Sequence, residues 1–327
     1  MRLFVTGGAG FIGSNFVRMA LRGELVGLEG AEITVFDALT YSGTLTNLEA
    51  IKDSPRYSFI QGDIRDEDAV RSALPGHDAI IHFAAESHVD RSVHNSRIFV
   101  ETNVVGTQTL LDQALALGIP RFVHISTDEV YGSIDSGSWD ENEPLLPNSP
   151  YSASKAASDL LVRSYFVTHG LNASITRCSN NYGPHHFPEK VIPLFVTNLL
   201  DGHTVPLYGD GLNVRDWLHV DDHCRGISLV LQKGQPGEIY NIGGGTELSN
   251  TELTDLLLAA TGRDKSFVTA VRDRKGHDRR YSVDISKISH ELGYEPQVDF
   301  TAGLADVVQW YRDNRQWWEP LKERAGL

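Results

Sequence analysis

Tyr151 and Lys155 stand four residues apart, and the spacing Tyr-x-x-x-Lys occurs nowhere else in the chain. On a helix, positions i and i+4 share one face. A free tyrosine has a pKa near about 10 and is a poor base at neutral pH. A neighbouring ammonium favours the phenolate, and the positive end of a helix dipole acts in the same direction. An activated tyrosine can take the proton of a substrate hydroxyl as hydride leaves the same carbon. In isolation such a pair is an ordinary surface feature, so its meaning depends on what else the chain carries.

A second set lies at Ser126-Thr127-Asp128-Glu129-Val130-Tyr131-Gly132. It follows an apolar run, Arg121 to Ser126, that reads as a strand. In an open α/β sheet, ligands sit beyond the carboxyl ends of the strands. Thr127, Asp128 and Glu129 therefore occupy the expected substrate position. Adjacent residues of a strand point to opposite faces. For both acids to serve one substrate, the chain must leave strand geometry here, and Gly132 makes that plausible. Oxidising an alcohol needs no extra carboxylate pair. Dehydration does: one group removes a proton beside a carbonyl and another protonates the departing hydroxyl. The bland alternative is a solvated acidic turn.

The third set binds rather than reacts. Gly8-Ala9-Gly10-Phe11-Ile12-Gly13 matches G-x-G-x-x-G, and Gly7 adds G-x-x-G-x-x-G spacing. Gly7, Gly10 and Gly13 follow a strand and open a helix, where they allow a tight turn and close approach of a pyrophosphate. The helix N-terminus offers unpaired N–H groups to the anion. Asp37 ends the second strand, where a carboxylate can accept hydrogen bonds from the ribose hydroxyls of NAD. It would repel the 2′-phosphate of NADP, and Ala38-Leu39-Thr40 brings no Lys or Arg. Asp63-Ile64 ends the third strand, and Asp63 reads equally well as an adenine contact or a helix cap.

These sets need a scaffold, and the first half of the chain supplies one. Arg2–Thr6, Glu32–Phe36, Tyr57–Gln61, Asp78–Phe83 and Arg121–Ser126 read as strands. Phe11–Arg22 and Phe99–Leu117 read as helices between them. Tyr151–His169 reads as a further helix entered through Ser149-Pro150, followed by a strand at Ala173–Cys178. Such alternation predicts a Rossmann-type doubly wound parallel sheet, class α/β. After Cys178 prolines and glycines break the regularity. The predicted division is a cofactor domain over 1–178 and a smaller C-terminal α/β substrate domain over 179–327. Segments around 215–242 are expected to return to the first, with Asp221–Leu231 as a helix.

Bulk properties exclude several classes. The 327 residues carry 29 Lys plus Arg against 43 Asp plus Glu, a net charge of −14. That balance disfavours nucleic acid, whose phosphates need a basic surface. No run reaches the roughly 18 apolar residues of a membrane span. Two cysteines, Cys178 and Cys224, build no disulfide framework and fit a reducing cytoplasm. One local basic cluster, Arg272, Arg274, Lys275, Arg279 and Arg280, stands out as a candidate diphosphate site, with Arg215 as a second. His219 and His223 need not share a face and are read as structural, so no metal is expected. His185-His186 has no ligand partners at metal spacing. Trp310, Tyr311, Trp317 and Trp318 read as packing.

Together these residues resemble the dTDP-glucose 4,6-dehydratases, a family of extended short-chain dehydrogenase/reductases. The resemblance runs through Thr6 to Gly13, His82 to Ser92, Ser126 to Gly132, Tyr151 to Lys155, Asn180 to Pro184 and Arg274 to Asp278, and reaches Trp317 to Pro320. The Thr-Asp-Glu triplet is the most telling part, because epimerases of the superfamily have other residues there. The resemblance implies a redox-neutral reaction using tightly bound NAD, regenerated each cycle. Tyr151 and Lys155 would serve the oxidation at C4, with Thr127 on the C4 oxygen. Glu129 would take the C5 proton and Asp128, protonated, would help water leave C6. By the same resemblance Thr40, Phe83, Ala84, Ala85, Thr102 and Asn181 join Phe11, Ile12, Asp37, Asp63 and Ile64 around NAD. Ser87, Asn180, Glu189, Lys190, Val191, Pro206, Tyr208, Arg215, Asn250, Arg274 and His277 would hold the nucleotide sugar. Family members pair through two long helices, so a homodimer is expected through Phe99–Leu117 and Tyr151–His169. The rival readings are a nucleotide-sugar 4-epimerase, which needs no acid pair, and a non-catalytic NAD-binding module, which needs no Tyr151, Lys155 or Thr127.

Overall fold

In the computed structural model, which describes residues 1–327, the first apolar run forms β1 (Arg2–Thr6) and the glycine turn after it opens α1 (Phe11–Arg22). β2 (Glu32–Asp37), β3 (Tyr57–Gln61), α2 (Glu67–Ala73), β4 (Ala79–His82), α3 (Val89–His94) and α4 (Ser96–Phe99) follow. Next come α5 (Thr107–Ala116), β5 (Arg121–Thr127), α6 (Pro150–His169) and β6 (Ala173–Cys178). The remainder contains β7 (Asn180–Tyr182), α7 (Val191–Leu200), β8 (Val205–Tyr208), β9 (Val214–His219), α8 (Val220–Lys233) and β10 (Ile239–Ile242). It ends with β11 (Thr246–Ser249), α9 (Asn250–Thr261), β12 (Val268–Val271), α10 (Ser286–Leu292), α11 (Phe300–Asp313) and α12 (Arg315–Ala325).

Seven strands pair in parallel in the order β10-β6-β5-β4-β1-β2-β3. The sequence order reverses between β1 and β4, which opens a crevice at the strands' carboxyl ends. Apolar side chains of α1, α8 and α10 cover one face of the sheet, and those of α2, α5 and α6 the other. This is the Rossmann-type doubly wound architecture. Two small sheets, β11-β9-β7 and β12-β8, flank it with α7, α9, α11 and α12 around a separate apolar core.

The predicted return of the chain to the first sheet begins at Val220. β9 pairs with β7 and β11 instead, whereas α8 packs against β5 and β6 and β10 pairs with β6. α10 also returns, a point the sequence reading lacked.

Two features place α6. Ser149 caps it through a reciprocal pair with Ser152, with Pro150 in its first turn. Further along, Asp159 meets Arg177 of β6 at 2.9 Å, and both are buried. Losing either partner would strand a buried charge, so the pair ties the helix to the sheet at one register.

The single helix predicted over Phe99–Leu117 is a correction. α4 ends at Phe99, a π-helical stretch spans Val100–Gly106, and only then does α5 begin. The widened turn lets the buried Asn103 side chain accept from Glu86 N and donate to Glu86 O and Ser154 Oγ. Such bulges occur often at functional sites; here it accompanies Thr102 on the cleft wall.

Candidate active site

A cleft of about 320 Å³ runs along the carboxyl ends of the strands. A second cavity of about 210 Å³ adjoins it, and Ser87, Glu129, Asn180, Asn181, Glu189 and Lys190 line both. The first fits a dinucleotide at its glycine turn. Gly7 has φ +69°, and a Cβ there would lie 2.5 Å from the Ala84 backbone nitrogen. A Cβ on Gly13 would lie 2.4 Å from the Gly7 carbonyl oxygen. The backbone is therefore drawn close where a pyrophosphate would approach, and Gly10 starts α1. Phe11, Ile12, Thr40, Ile64, Phe83, Ala84 and Ala85 line the same cleft.

Asp37 is buried and accepts from Ala9 N at 2.9 Å and Leu39 N at 2.8 Å. Its pKa is raised, with burial outweighing those two bonds. Each carboxylate oxygen keeps a further lone pair for a ribose hydroxyl. Asp63 lines the cleft and is held by the Arg65 guanidinium and backbone N–H. The helix cap considered for Asp63 is made by Asp66 instead, which accepts from Ala69 N. Asn181 is turned toward protein: its Oδ1 lies 2.9 Å from His223 Nδ1 and its Nδ2 donates to Ser179 O. That bond absorbs His223, while His219 caps α8.

At the end of β5 the chain leaves strand geometry as expected. A 3-10 turn spans Asp128–Tyr131, and Gly132 follows at φ +86°. Thr127 Oγ1 accepts from Glu129 N and donates to Asp128 Oδ1, both at 3.3 Å. Asp128 is 2% exposed, and its Oδ2 has no partner. Burial first, then Glu129 and Asp216, push its carboxyl well above the ordinary range. Glu129 is also raised by burial, but Arg274, Arg215 and Lys190 pull it back toward the carboxylate. Both carboxyls are thus raised, Asp128 well above its ordinary range and Glu129 against the pull of three cations, so Asp128 is the one that holds its proton more firmly.

Tyr151 and Lys155 share the buried face of α6 and line the cleft with Thr127, Asp128 and Glu129. One expectation is corrected. Burial, then Glu129, hold Tyr151 well above the usual phenol value, and only the Thr127 hydroxyl pulls it down. Lys155 Nζ donates to Ile125 O at 2.8 Å. Burial lowers the lysine itself to about 8.

The second cavity gathers Val191, Pro206, Tyr208, Arg215, Asn250, Arg274 and His277. Lys190 Nζ donates to Ser87 O, and Arg215 packs over the Tyr281 ring. Asn180 Oδ1, Glu189 Oε1 and Arg274 Nε are buried without partners, as groups awaiting a polar ligand would be. The basic cluster of the C-terminal loop does not act together. Arg279 pairs with Asp210 and Arg280 with Glu247, while Arg272 and Lys275 line neither cavity. Only Arg274 reaches in.

Sequence reasoning missed three lining groups. His186 stacks on Phe11 with centroids 4.1 Å apart, and the His185-His186 pair was weighed only as metal ligands. Tyr41 and Phe187 meet edge to face at the cleft mouth, and Arg91 lies 3.9 Å over Tyr41 while bonding Glu189. No local spacing marks them.

The comparisons agree with this geometry. A family model described as GDP-mannose 4,6 dehydratase matches residues 4–307. The dTDP-glucose 4,6-dehydratase of Streptomyces antibioticus is 61% identical over 327 residues, covering 100% of this chain and 97% of that protein. The crystal structure of DesIV, a dTDP-glucose 4,6-dehydratase from Streptomyces venezuelae solved with NAD bound, is 63% identical with a TM-score of 0.98, covering 98% of this chain and 100% of that one. A UDP-glucose 4-epimerase from Thermotoga maritima, solved with UDP-glucose, shares the fold at TM-score 0.88 but only 32% identity, covering 96% of this chain and 100% of that one. The chain belongs to the dTDP-glucose 4,6-dehydratase family of the extended short-chain dehydrogenase/reductases.

Proposed function

We propose that the chain is an NAD-dependent hydro-lyase that converts dTDP-glucose to dTDP-4-keto-6-deoxyglucose. The observation that carries this reading is the acid pair Asp128–Glu129, placed beside Tyr151 and divided by its surroundings. An epimerase has no use for such a pair, and a binding module has no use for the tyrosine.

Gly7, Gly10, Gly13 and the start of α1 would hold the pyrophosphate of NAD, with Asp37 on a ribose. When bound, NAD supplies a positively charged ring and a hydride store that takes hydride from C4 first and returns it at C6 last. Tyr151 accepts the C4 hydroxyl proton while Thr127 steadies that oxygen, and Lys155, which lines the same cleft, would donate to the nicotinamide ribose. The resulting C4 ketone acidifies the C5 hydrogen, and Glu129 takes it as a proton. Asp128, starting protonated, gives its proton to the C6 hydroxyl, which leaves as water. Arg215, Arg274 and Lys190 complement the nucleotide diphosphate. As hydride arrives at C6 a proton returns to C5, from Glu129 after exchange with solvent, and the proton left on Tyr151 makes good the one Asp128 gave up, so the sum is loss of one water with no net oxidation.

Purified protein should be incubated with dTDP-glucose and the nucleotide sugar followed by mass spectrometry. Loss of water, with solvent deuterium entering at C5, is the expected result. Conversion to the galacto isomer at unchanged mass would sink the dehydratase reading in favour of the epimerase.

The chain is also proposed to act as a cytoplasmic homodimer. The free, buried Cys178 and Cys224 fit a reducing compartment, and no helix is long and apolar enough to cross a membrane. Leu160 and Val167 of α6 are 57% and 61% exposed, and Val100 and Val105 stand open on the neighbouring π segment. An apolar stripe of this kind fits a second copy of the same face. Leu160→Glu should shift the sedimentation coefficient from dimer to monomer, and a variant still sedimenting as dimer would place the interface elsewhere.

A further inference from the structure

The last two helices reach the glycine turn from the far end of the chain, each through one intermediate residue. Trp317 Nε1 donates to Asn47 Oδ1 at 3.0 Å, and Asn47 Nδ2 donates to the Ala9 carbonyl at 2.9 Å. The amide orientation is forced, because an indole N–H can only donate and a carbonyl can only accept. Asn47 is 2% exposed, and its own carbonyl accepts from Arg18 Nη1 at 2.7 Å. Ala9 N in turn donates to Asp37 Oδ2, so the chain of bonds reaches the ribose carboxylate. Thr44 N is the other donor to Ala9 O. A second arm runs alongside: Tyr311 donates its hydroxyl to His186 O at 2.5 Å, and His186 is the ring stacked on Phe11. The turn at Ala9 and the ring of Phe11, which flank Gly10 on the cleft wall, are thus braced from α12 through Asn47 and from α11 through His186.

We propose that Trp317 is a positioning residue for the cofactor: through Asn47 it fixes the Ala9–Gly10 turn, so that the C-terminal helix governs how long NAD stays bound. The inference rests on the reading of the first cleft as the NAD site. Bonds linked through one amide support each other, and breaking the outer link leaves Asn47 Oδ1 buried without a donor. The ring packing of Trp317 against His185 and Trp310 is a separate matter. Trp310 shares that aromatic cluster and carries no bond to the turn, so it serves as the control.

The test loads each protein with NAD and follows exchange of the bound cofactor for radiolabelled NAD, with melting temperature measured alongside. Trp317→Phe keeps a ring and loses the N–H. It is expected to release NAD about fivefold faster, on the order of one hydrogen bond, whereas Trp310→Phe releases it at the wild-type rate. Asn47→Ala should release NAD at least as fast, and adding Trp317→Phe to it should change nothing further, the non-additivity of one connected chain. Wild-type release from Trp317→Phe, equal effects of the two tryptophan variants, or additive effects of Trp317→Phe and Asn47→Ala would overturn the proposal. A wild-type protein that retains no NAD would overturn the cofactor reading itself, and this inference with it.

Discussion

Tyr151→Phe is expected to lower turnover roughly a hundred- to ten-thousand-fold, the range for removing a positioned acid–base group. The phenol oxygen is the group proposed to take the C4 hydroxyl proton, and Thr127 offers no basic substitute. The ring itself is 9% exposed and packs edge to face with Phe99, so Phe should preserve the fold. Steady-state assays on dTDP-glucose should therefore show collapse of kcat, while the NAD content of the purified variant stays at the wild-type level. Wild-type turnover in Tyr151→Phe would remove this residue from the chemistry. The tyrosine's raised pKa makes a further demand. Burial and Glu129 both oppose its phenolate, and a positive charge brought near the ring would favour it.

The second large effect falls on the acid pair, and it separates steps that Tyr151→Phe cannot. Glu129→Gln and Asp128→Asn are each expected to slow elimination roughly a hundred- to ten-thousand-fold, while oxidation at C4 survives. Mass spectrometry should then find a nucleotide 4-ketosugar that has lost hydrogen but not water. Glu129→Gln should also abolish solvent deuterium uptake at C5. The pH profile follows from the directions of the shifts. Glu129 must be ionised, and its pKa is raised, so activity should fall with acidity at a pH above the ordinary carboxylate range. Asp128 must be protonated and lies well above that range, so its loss of a proton should set or steepen the alkaline limb. Because the carboxyls interact, the apparent values belong to the pair. Elimination at the wild-type rate in both variants would refute the assignment.

How much of this was legible in the residues depended on distance along the chain. The glycine turn and Tyr151–Lys155 were legible because the chemistry lies within a few residues, where spacing alone decides geometry. The departure from strand geometry at Asp128 was readable too, since two adjacent acids cannot otherwise face one ligand. The π segment was not: Asn103 adopts it to satisfy Glu86 and Ser154, partners no local pattern indicates. The cluster near residue 274 was overread for the same reason. Asp210 and Glu247, distant in sequence, neutralise Arg279 and Arg280, and charge counting within the loop could not see them. The stack of His186 on Phe11 likewise joins residues far apart in the chain, and Tyr311 of α11 bonds the His186 carbonyl.

The return of α8, β10 and α10 to the main sheet bears on how such a protein can be rebuilt. Asn180, Glu189, Lys190, Val191, Pro206, Tyr208 and Arg215 all lie between β6 and α8. Asn250, Arg274 and His277 all lie between β10 and α10. The second cavity therefore draws most of its lining from two inserts in the Rossmann framework, with Ser87, His88, Val89, Asp90 and Glu129 supplied by the framework itself; the first insert returns through α8 and β10, and the second through α10, packed on β10. No single cut yields a transplantable specificity module. Exchanging substrate preference between relatives means swapping two loops in concert, with the edge strand β10 kept as the shared seam.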